Sequence, residues 1–296
     1  MRLARGGRQN DMTDRRPRAS FALPEGSRMA VLFNIAFEGW ATGAAPSIGP
    51  MGNPLPQGIF DTQAASWAAY GHRQGIWRLL RALSGTGIRA TVFASGCIAE
   101  LALNALRAVA EEGHEIAAHG YSQHLIPALM DEEEESRLME KTIALITGAT
   151  GDGPSGWLSP RGTPSSETAR LAAEHGLVWF GDVFDDDAPY PIPTASGQIV
   201  AVPLKMAVND LPHHVRYGHS PRSFLQAFHD TFAAMYSAGG DGYYMDVTVH
   251  AHVFGRPHGA WTVKEIAEHV AGFSDVWVPT RLELAKWTLA NLPKET

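Results

Sequence analysis

Cysteine is almost absent from this chain of 296 residues, with Cys97 as its single copy. One thiol excludes an intramolecular disulfide and any metal site built from several thiolates, so a bound zinc ion would need histidine and carboxylate ligands. Long apolar runs are absent too: none approaches the roughly 18 residues that cross a bilayer, and the basic N-terminus has no apolar secretory segment. We therefore expect a soluble protein of the reducing cytoplasm.

Positive charge is not in excess, because 24 Lys and Arg residues face 31 Asp and Glu residues and give a formal net charge of -7. The two signs are interspersed along the chain, which offers no basic surface to nucleic acid or to an anionic membrane. We expect small neutral or weakly charged substrates instead. With 45% hydrophobic residues, the chain can bury the core of one large domain.

Apolar segments of strand character alternate with segments of helical periodicity. Residues 29–37 have the composition of a strand buried on both faces, residues 75–87 and 99–112 have helical spacing and end at glycine, and residues 114–118 form another brief strand. This alternation predicts a parallel α/β sheet, open or closed into a barrel. We place a flexible arm at residues 1–27 and one catalytic domain at residues 28–296.

Polar side chains follow the predicted strands, where parallel α/β folds build their active sites. His119 and His124 follow the strand at 114–118, and His250 ends an apolar segment near the C-terminus. Each has a structural explanation when taken alone. His250 can be a core histidine, the two loop histidines can bind backbone carbonyls, and Arg161 can simply pair with an aspartate. Their order along the chain favours a shared site.

Seven segments that carry or flank these residues occur in order along the chain: "YGHRQGIWRLL", "ATVFASG", "GHEIAAHGYSQH", "WLSPRGTPS", "GDVFDDDAPY", "VND" at residues 208–210 and "VHAHVFGRP". With these motifs the chain resembles the polysaccharide deacetylase superfamily, and within it the ring-opening branch of allantoinases and cyclic-imide hydrolases. The resemblance implies a distorted (β/α) barrel of about seven strands. It also implies an Asp-His-His metal centre, an aspartate base and a late histidine acid in the deacetylases.

Two departures from the deacetylase pattern fall at the metal centre. Phe37 stands where the deacetylases carry their aspartate base, and Glu38 stands at the metal-binding aspartate. The deacetylase histidines are four residues apart, whereas His119 and His124 are five apart, with Gln123 at the usual position. A phenyl ring cannot accept a proton, so deacetylase chemistry is disfavoured.

The resemblance implies hydrolysis of a ring C-N bond in a small cyclic imide, amide or ureide. A cyclic imide is the favoured substrate class, and an allantoin-like ring is the second choice. Glu38, His119 and His124 would hold a divalent metal ion, for which zinc is the favoured identity. His250 would then be the general acid or base. If no metal takes part, His119 and His250 form the acid-base pair and Glu38 contacts the substrate. Two further catalytic candidates are Arg161 and Asp182, because Arg161 would orient an aspartate such as Asp182 or clamp a substrate carbonyl. The substrate-binding candidates are Phe37, Trp40, Tyr121 and His252.

Two other functions stay open at this stage. A metal-dependent N-deacetylase of a carbohydrate would retain the superfamily's common chemistry, but the missing secretory segment and Phe37 oppose it. A non-catalytic barrel that binds a metabolite would explain the altered motif, but it would not require polar residues at so many strand ends. The resemblance also implies a homo-oligomer, a dimer or a tetramer.

Overall fold

The computed structural model describes residues 21–45, 55–56, 58–239 and 244–291. Within these residues, one sheet of nine strands is surrounded by helices. The strands are β1 (Met29–Phe37), β2 (Thr91–Ala94), β3 (Glu115–Ala118), β4 (Gly156–Trp157), β5 (Trp179–Phe180), β6 (Tyr190–Thr194), β7 (Gly197–Ala201), β8 (Tyr244–His250) and β9 (Val276–Trp277).

The order of the strands in the sheet is β6-β7-β5-β4-β3-β2-β1-β8, and β9 pairs with the start of β1. Every pairing is parallel except the β6-β7 hairpin. The sheet curls into the predicted distorted (β/α) barrel, and a bridge between Asn209 and Thr248 adds a further parallel contact beside β8. All the parallel strands therefore bring their carboxyl ends to one face.

The helices supply the outer layer. They are α1 (Thr62–Tyr70), α2 (Ile76–Leu83), α3 (Ile98–Leu101), α4 (Leu103–Glu111), α5 (Glu132–Thr150), α6 (Thr168–Glu174), α7 (Pro221–Ala238), α8 (Pro257–Ala271) and α9 (Arg281–Ala290). Four consecutive glutamates, residues 132–135, begin α5, where Asp131 caps the helix through the backbone N-H of Glu134. The first three are exposed at the helix N-terminus, where negative charge is favourable, and Glu135 is buried against Ser165 and Thr168. Among the described residues, no helix is both long enough and apolar enough to cross a membrane.

The two faces of β1 carry different side chains because strand residues alternate between them. The odd-numbered residues from Met29 to Phe37 pack in the layer between sheet and helices. Ala30 and Leu32 face the barrel interior, and Asn34 continues that inward row. The same parity carries the Glu38 side chain inward, at the carboxyl end of the strand.

The middle of the barrel is polar and fully paired. The guanidinium of Arg281, at the start of α9, is completely buried. It donates from Nη2 to Asp246 Oδ2 (2.5 Å), from Nε to Asn34 Oδ1 (3.1 Å) and from Nη1 to the Val202 carbonyl (2.8 Å). Asn34 Nδ2 in turn donates to Asp246 Oδ1 at 3.0 Å. This network ties β1, β8 and α9 together beneath the site.

Glycine permits a close backbone approach at the point where α1 passes through one wide turn (Gly71–Gly75) into α2. A Cβ atom at Gly75 would lie 1.8 Å from the carbonyl oxygen of Ala251, just after β8. We predict that Gly75→Ala lowers the free energy of unfolding by about 3 kcal/mol, because the backbone after β8 must move.

Urea denaturation measures this effect. Gly148→Ala is the control, since Gly148 lies in α5 with nothing within 4 Å of an added Cβ, and it is expected to raise stability by about 0.5–1 kcal/mol. Equal stability of the two variants would contradict the close approach.

Most predicted elements are present, with three differences. The helix predicted from residue 75 is preceded by α1, the segment at 99–112 is divided into α3 and α4, and the predicted arm is shorter. Phe21 and Leu23 pack against the hydrophobic cluster inside the barrel that includes Ala30 and Leu32. Trp287 Nε1 donates to the carbonyl of Ala22 at 2.8 Å. Residues 21–27 therefore belong to the barrel, and residues 1–20 of the arm lie outside the described residues.

Candidate active site

Three imidazoles surround one carboxylate at the carboxyl end of the barrel. Glu38 Oε1 lies 3.5 Å from His119 Nε2 and 3.7 Å from His250 Nε2. Glu38 Oε2 lies 3.7 Å from His252 Nδ1. Glu38 follows β1, His119 follows β3, and the other two residues end and follow β8. Four of the ten residues predicted for the site are therefore brought together.

His250 is held by a residue to which the sequence analysis gave no role. Asp210 is completely buried, and its Oδ1 lies 2.6 Å from His250 Nδ1. Its Oδ2 accepts from the backbone N-H groups of His250 (2.9 Å) and Phe254 (3.1 Å). Because a carboxylate only accepts, it fixes a proton on His250 Nδ1 and directs Nε2 towards Glu38.

His119 is oriented in a similar way by a backbone carbonyl. Its Nδ1 lies 2.8 Å from the carbonyl oxygen of Leu158, just after β4. A carbonyl accepts a proton but cannot supply one, so Nδ1 carries the hydrogen and Nε2 faces Glu38. When His119 is neutral, Nε2 is therefore a free base within the cluster.

The charges of this cluster reinforce one another. Burial raises the pKa of Glu38, but the three neighbouring imidazoles, that of His250 first, together lower it to about 2. Burial lowers the pKa of His250, but the carboxylates of Asp210 and Glu38 raise it to about 9. At neutral pH the site thus contains a carboxylate beside an imidazolium, which is the protonation state of a general acid.

His252 differs from His250 because Asp210 is hydrogen-bonded to the His250 ring, whereas the carboxylate beside His252 Nδ1 is that of Glu38 at 3.7 Å. Burial lowers the pKa of His252 to about 4, and the charge of Glu38 does not offset that effect. Its Nδ1 is buried and has no hydrogen-bond partner among the described residues. Trp40 is half-buried and packs edge-to-face on this imidazole, with ring centroids 5.4 Å apart. His252 is therefore a neutral polar group with an unused nitrogen.

Comparison with known proteins agrees with this geometry. The family model for polysaccharide deacetylases matches residues 60–180. The crystal structure of a probable polysaccharide deacetylase from Pseudomonas aeruginosa PAO1 superposes with a TM-score of 0.83 at 27% identity, covering 92% of this chain and 95% of that one. The chain is related in sequence and fold to the polysaccharide deacetylase superfamily.

Relatives in the superfamily differ in the reactions that their names describe. The crystal structure of PuuE allantoinase superposes with a TM-score of 0.82 at 26% identity, covering 92% of this chain and 94% of that one. A peptidoglycan deacetylase of Helicobacter pylori is 26% identical over 252 residues, which are 75% of this chain and 86% of the relative. The names of these relatives therefore point to a hydrolase and leave the substrate of this chain open.

The metal centre predicted from the superfamily pattern is not assembled. Glu38 and His119 are adjacent, but the third predicted ligand, His124, is exposed, and its Nδ1 lies 2.8 Å from Ser122 Oγ. Gln123 occupies the inward position four residues after His119, and an amide is a poor substitute for an imidazole at a zinc ion. In the described part of the chain, no group of three or more His, Cys, Asp or Glu side chains could hold a metal ion. The residues present do not fit the implied ion.

Two substrate-binding predictions were wrong for reasons of side-chain direction. Phe37 is completely buried in the outer hydrophobic layer, because its position on β1 turns it away from Glu38. Tyr121 points outward, where its hydroxyl donates to Glu100 Oε2 (2.8 Å) and the Lys141 ammonium lies 3.5 Å from its ring centroid. Neither side chain contacts the cluster.

The predicted pairing of Arg161 with Asp182 was also wrong. Both carboxylate oxygens of Asp182 accept from the backbone N-H of Ser159, at 2.9 and 2.8 Å. Burial raises the pKa of Asp182 to about 6. Arg161 is exposed and has a left-handed backbone (φ 59°), which non-glycine residues rarely adopt outside functional turns. Its predicted contact with a substrate carbonyl stays a prediction.

Proposed function

We propose that the protein hydrolyses a ring C-N bond of a small cyclic amide, with a cyclic imide as the first substrate class and a ureide such as allantoin as the second. The observation that carries this proposal is the carboxylate of Glu38 between two imidazoles of fixed orientation. This arrangement contains both a base and a protonated acid, which are the groups that amide hydrolysis requires.

The reaction begins with a water molecule beside His119. His119 Nε2 accepts a proton from this water, and the resulting hydroxide oxygen attacks the ring carbonyl carbon. Glu38 stabilises the imidazolium that forms, since its carboxylate lies 3.5 Å from Nε2. The attack produces a tetrahedral oxyanion.

The second step breaks the ring. As the C-N bond of the tetrahedral oxyanion breaks, His250 Nε2 donates its proton to the leaving nitrogen. Cleavage leaves a carboxylic acid and a primary amide at the two ends of one opened chain. The acid loses its proton, which restores the protonated form of His250, and the proton taken by His119 returns to solvent, so the net products are an amide carboxylate and one proton. An imide nitrogen leaves readily because its second carbonyl delocalises the negative charge. No step in this sequence requires a metal ion.

The enclosure of the site favours a small ring over a polymer. Glu38 is 9% exposed, and the three histidines around it are 3 to 5% exposed. A substrate that reaches these groups is surrounded by protein on most sides, as is usual for small-molecule sites. A glycan chain would need an open groove across the same groups.

A second candidate, N-deacetylation of a carbohydrate, is favoured by the names of two relatives and by the family model. Both reactions break a C-N bond next to a carbonyl, so the same acid and base could serve either. The substitution of Phe37 for the deacetylase base and the absence of the third metal ligand weigh against it.

A substrate panel distinguishes the two functions. We predict that purified protein opens succinimide, glutarimide or allantoin and releases no acetate from N-acetylated chito-oligosaccharides. Glu38→Gln is expected to lower kcat/KM for the best ring at least about 10²-fold, because the forming imidazolium loses its carboxylate. Glu100→Gln, which changes an exposed carboxylate, is the matched control and should retain wild-type activity. Acetate release without ring opening would contradict the proposal.

A further inference from the structure

The side chain of Gln123 is buried, and the direction of its amide is fixed by its neighbours. Its Nε2 lies 2.9 Å from the carbonyl oxygen of His119 and 3.1 Å from Ser95 Oγ. A backbone carbonyl can only accept a hydrogen bond, so the atom that faces it must be the NH₂ group. Both Nε2 hydrogens are thereby used.

The other end of this amide has no partner. Gln123 is 2% exposed, and its Oε1 has no hydrogen-bond donor among the described residues. A buried acceptor without a donor is energetically unfavourable, because its desolvation is not compensated. Such a group is expected where a ligand supplies the missing donor.

Gln123 is attached on three sides to residues of the site. Its backbone N-H donates to the carbonyl of Gly39 at 3.0 Å, directly after Glu38. The backbone N-H of Gly39 donates to the same Ser95 hydroxyl that accepts from Gln123 Nε2 (3.1 Å). The amide is therefore part of the layer that holds Glu38 and His119, and three side-chain and backbone hydrogen bonds limit its movement.

The polar atoms that Gln123, His250 and His252 offer to a ligand differ in kind. Gln123 Oε1 can only accept, whereas His250 donates from Nε2 and His252 has an unused ring nitrogen. The edge of an imide or ureide ring places an N-H beside one or two carbonyl oxygens. A site with one acceptor beside histidine donors is complementary to that edge.

We propose that Gln123 Oε1 accepts a hydrogen bond from the ring N-H of the substrate and so restricts the enzyme to rings that carry an N-H next to the reacting carbonyl. This inference rests on the proposed function and narrows it. N-alkylated imides and lactones have no hydrogen to donate at that position, so they leave the acceptor buried and unpaired.

The test compares succinimide with N-methylsuccinimide in wild-type protein and in Gln123→Met. Methionine has a similar volume but no oxygen, so the space for an N-methyl group changes little while the acceptor is lost. We expect wild-type kcat/KM to favour succinimide by about 10- to 100-fold, and Gln123→Met to reduce this preference to about threefold or less, a loss of about tenfold in the ratio.

Two further variants separate the acceptor from general damage to the site. Gln123→Glu, protonated in this buried position, retains a carbonyl oxygen and should retain the preference for succinimide even if kcat falls. Gln226→Met removes an exposed amide on α7 that donates to Asp230 Oδ1 at 2.9 Å and should change neither rate nor preference. Isothermal calorimetry with both rings supplies the same ratio for any variant that binds without turnover.

The outcomes decide the inference and the proposed function separately. Ring opening by the wild type with an unchanged preference in Gln123→Met overturns the role of Gln123 and leaves the proposed function intact. A wild-type protein that neither binds nor opens succinimide, glutarimide, hydantoin or allantoin overturns both.

Discussion

Asp210→Asn is expected to lower kcat for ring opening by about 10²- to 10⁴-fold, the range that general acid-base catalysis contributes. Asp210 Oδ1 lies 2.6 Å from His250 Nδ1. This carboxylate keeps a hydrogen on Nδ1 and directs Nε2 towards the reacting groups. An asparagine amide can present its NH₂ group to the ring instead, which would favour the wrong tautomer. KM should change much less than kcat, since Asp210 is buried and does not reach the substrate.

The pH profile identifies this role more specifically than the rate does. Burial lowers the pKa of His250, but Asp210 and Glu38 raise it to about 9. The protonated acid is therefore present below pH 9 and is lost as the pH rises through that value, so wild-type kcat/KM should fall on the alkaline side near pH 9. Asp210→Asn should shift this decline towards pH 6.5, the ordinary value for histidine.

Asp230→Asn, on the exposed face of α7, is the control for the change of charge and should retain the wild-type profile. A purely structural role for Asp210 would lower the rate at every pH and leave the alkaline decline in place. That result would contradict the assignment of His250 as the acid.

Arg281→Met is expected to lower the free energy of unfolding by about 3–5 kcal/mol, because it leaves the carboxylate of Asp246 buried without its cation. Asp246 Oδ2 keeps only the backbone N-H of Lys205 at 2.8 Å, and Asn34 loses the donor to its Oδ1. The change lies beneath the site and not in it. Urea denaturation followed by circular dichroism measures the loss.

The double variant Arg281→Met/Asp246→Asn distinguishes the ion pair from packing. If the unpaired carboxylate causes the loss, neutralising it should restore at least about 1 kcal/mol relative to Arg281→Met. Arg89→Met is the matched surface control, since Arg89 pairs with Glu283 through an exposed side chain, and it should cost less than about 1 kcal/mol. If Arg281→Met also lowered the free energy of unfolding by less than about 1 kcal/mol, the buried ion pair of Arg281 with Asp246 would not stabilise the fold as predicted.

The sequence was informative about the fold because the relevant signals are local. The apolar segment at Met29–Phe37, the helix starts and the glycine stops each depend on neighbouring residues. The alternation of strand and helix then fixes which ends of the strands meet, and so the side of the barrel that carries the site. The grouping of Glu38, His119, His250 and His252 follows from that topology.

Errors arose where side-chain direction decided the outcome. Phe37 is adjacent to Glu38 in sequence, but strand alternation turns it into the outer layer, and counting residues along β1 would have excluded it. His124 illustrates the same problem in a loop, where one residue separates the inward Gln123 from an exposed imidazole. The segment "VND" was part of the resemblance, but Asp210 received no role, because its contact with His250 spans 40 residues and no local pattern shows it.

The central claim is that Glu38, His119 and His250 open a cyclic amide without a metal ion. The most direct test is elemental analysis of untagged protein together with its rate of imide hydrolysis before and after exhaustive chelation. We predict less than about 0.1 equivalent of any transition metal per chain and an unchanged rate. This expectation follows from the exposed His124 and from the absence of a suitable ligand group in the described residues. Loss of activity on chelation, with recovery on adding one equivalent of zinc, would contradict the claim.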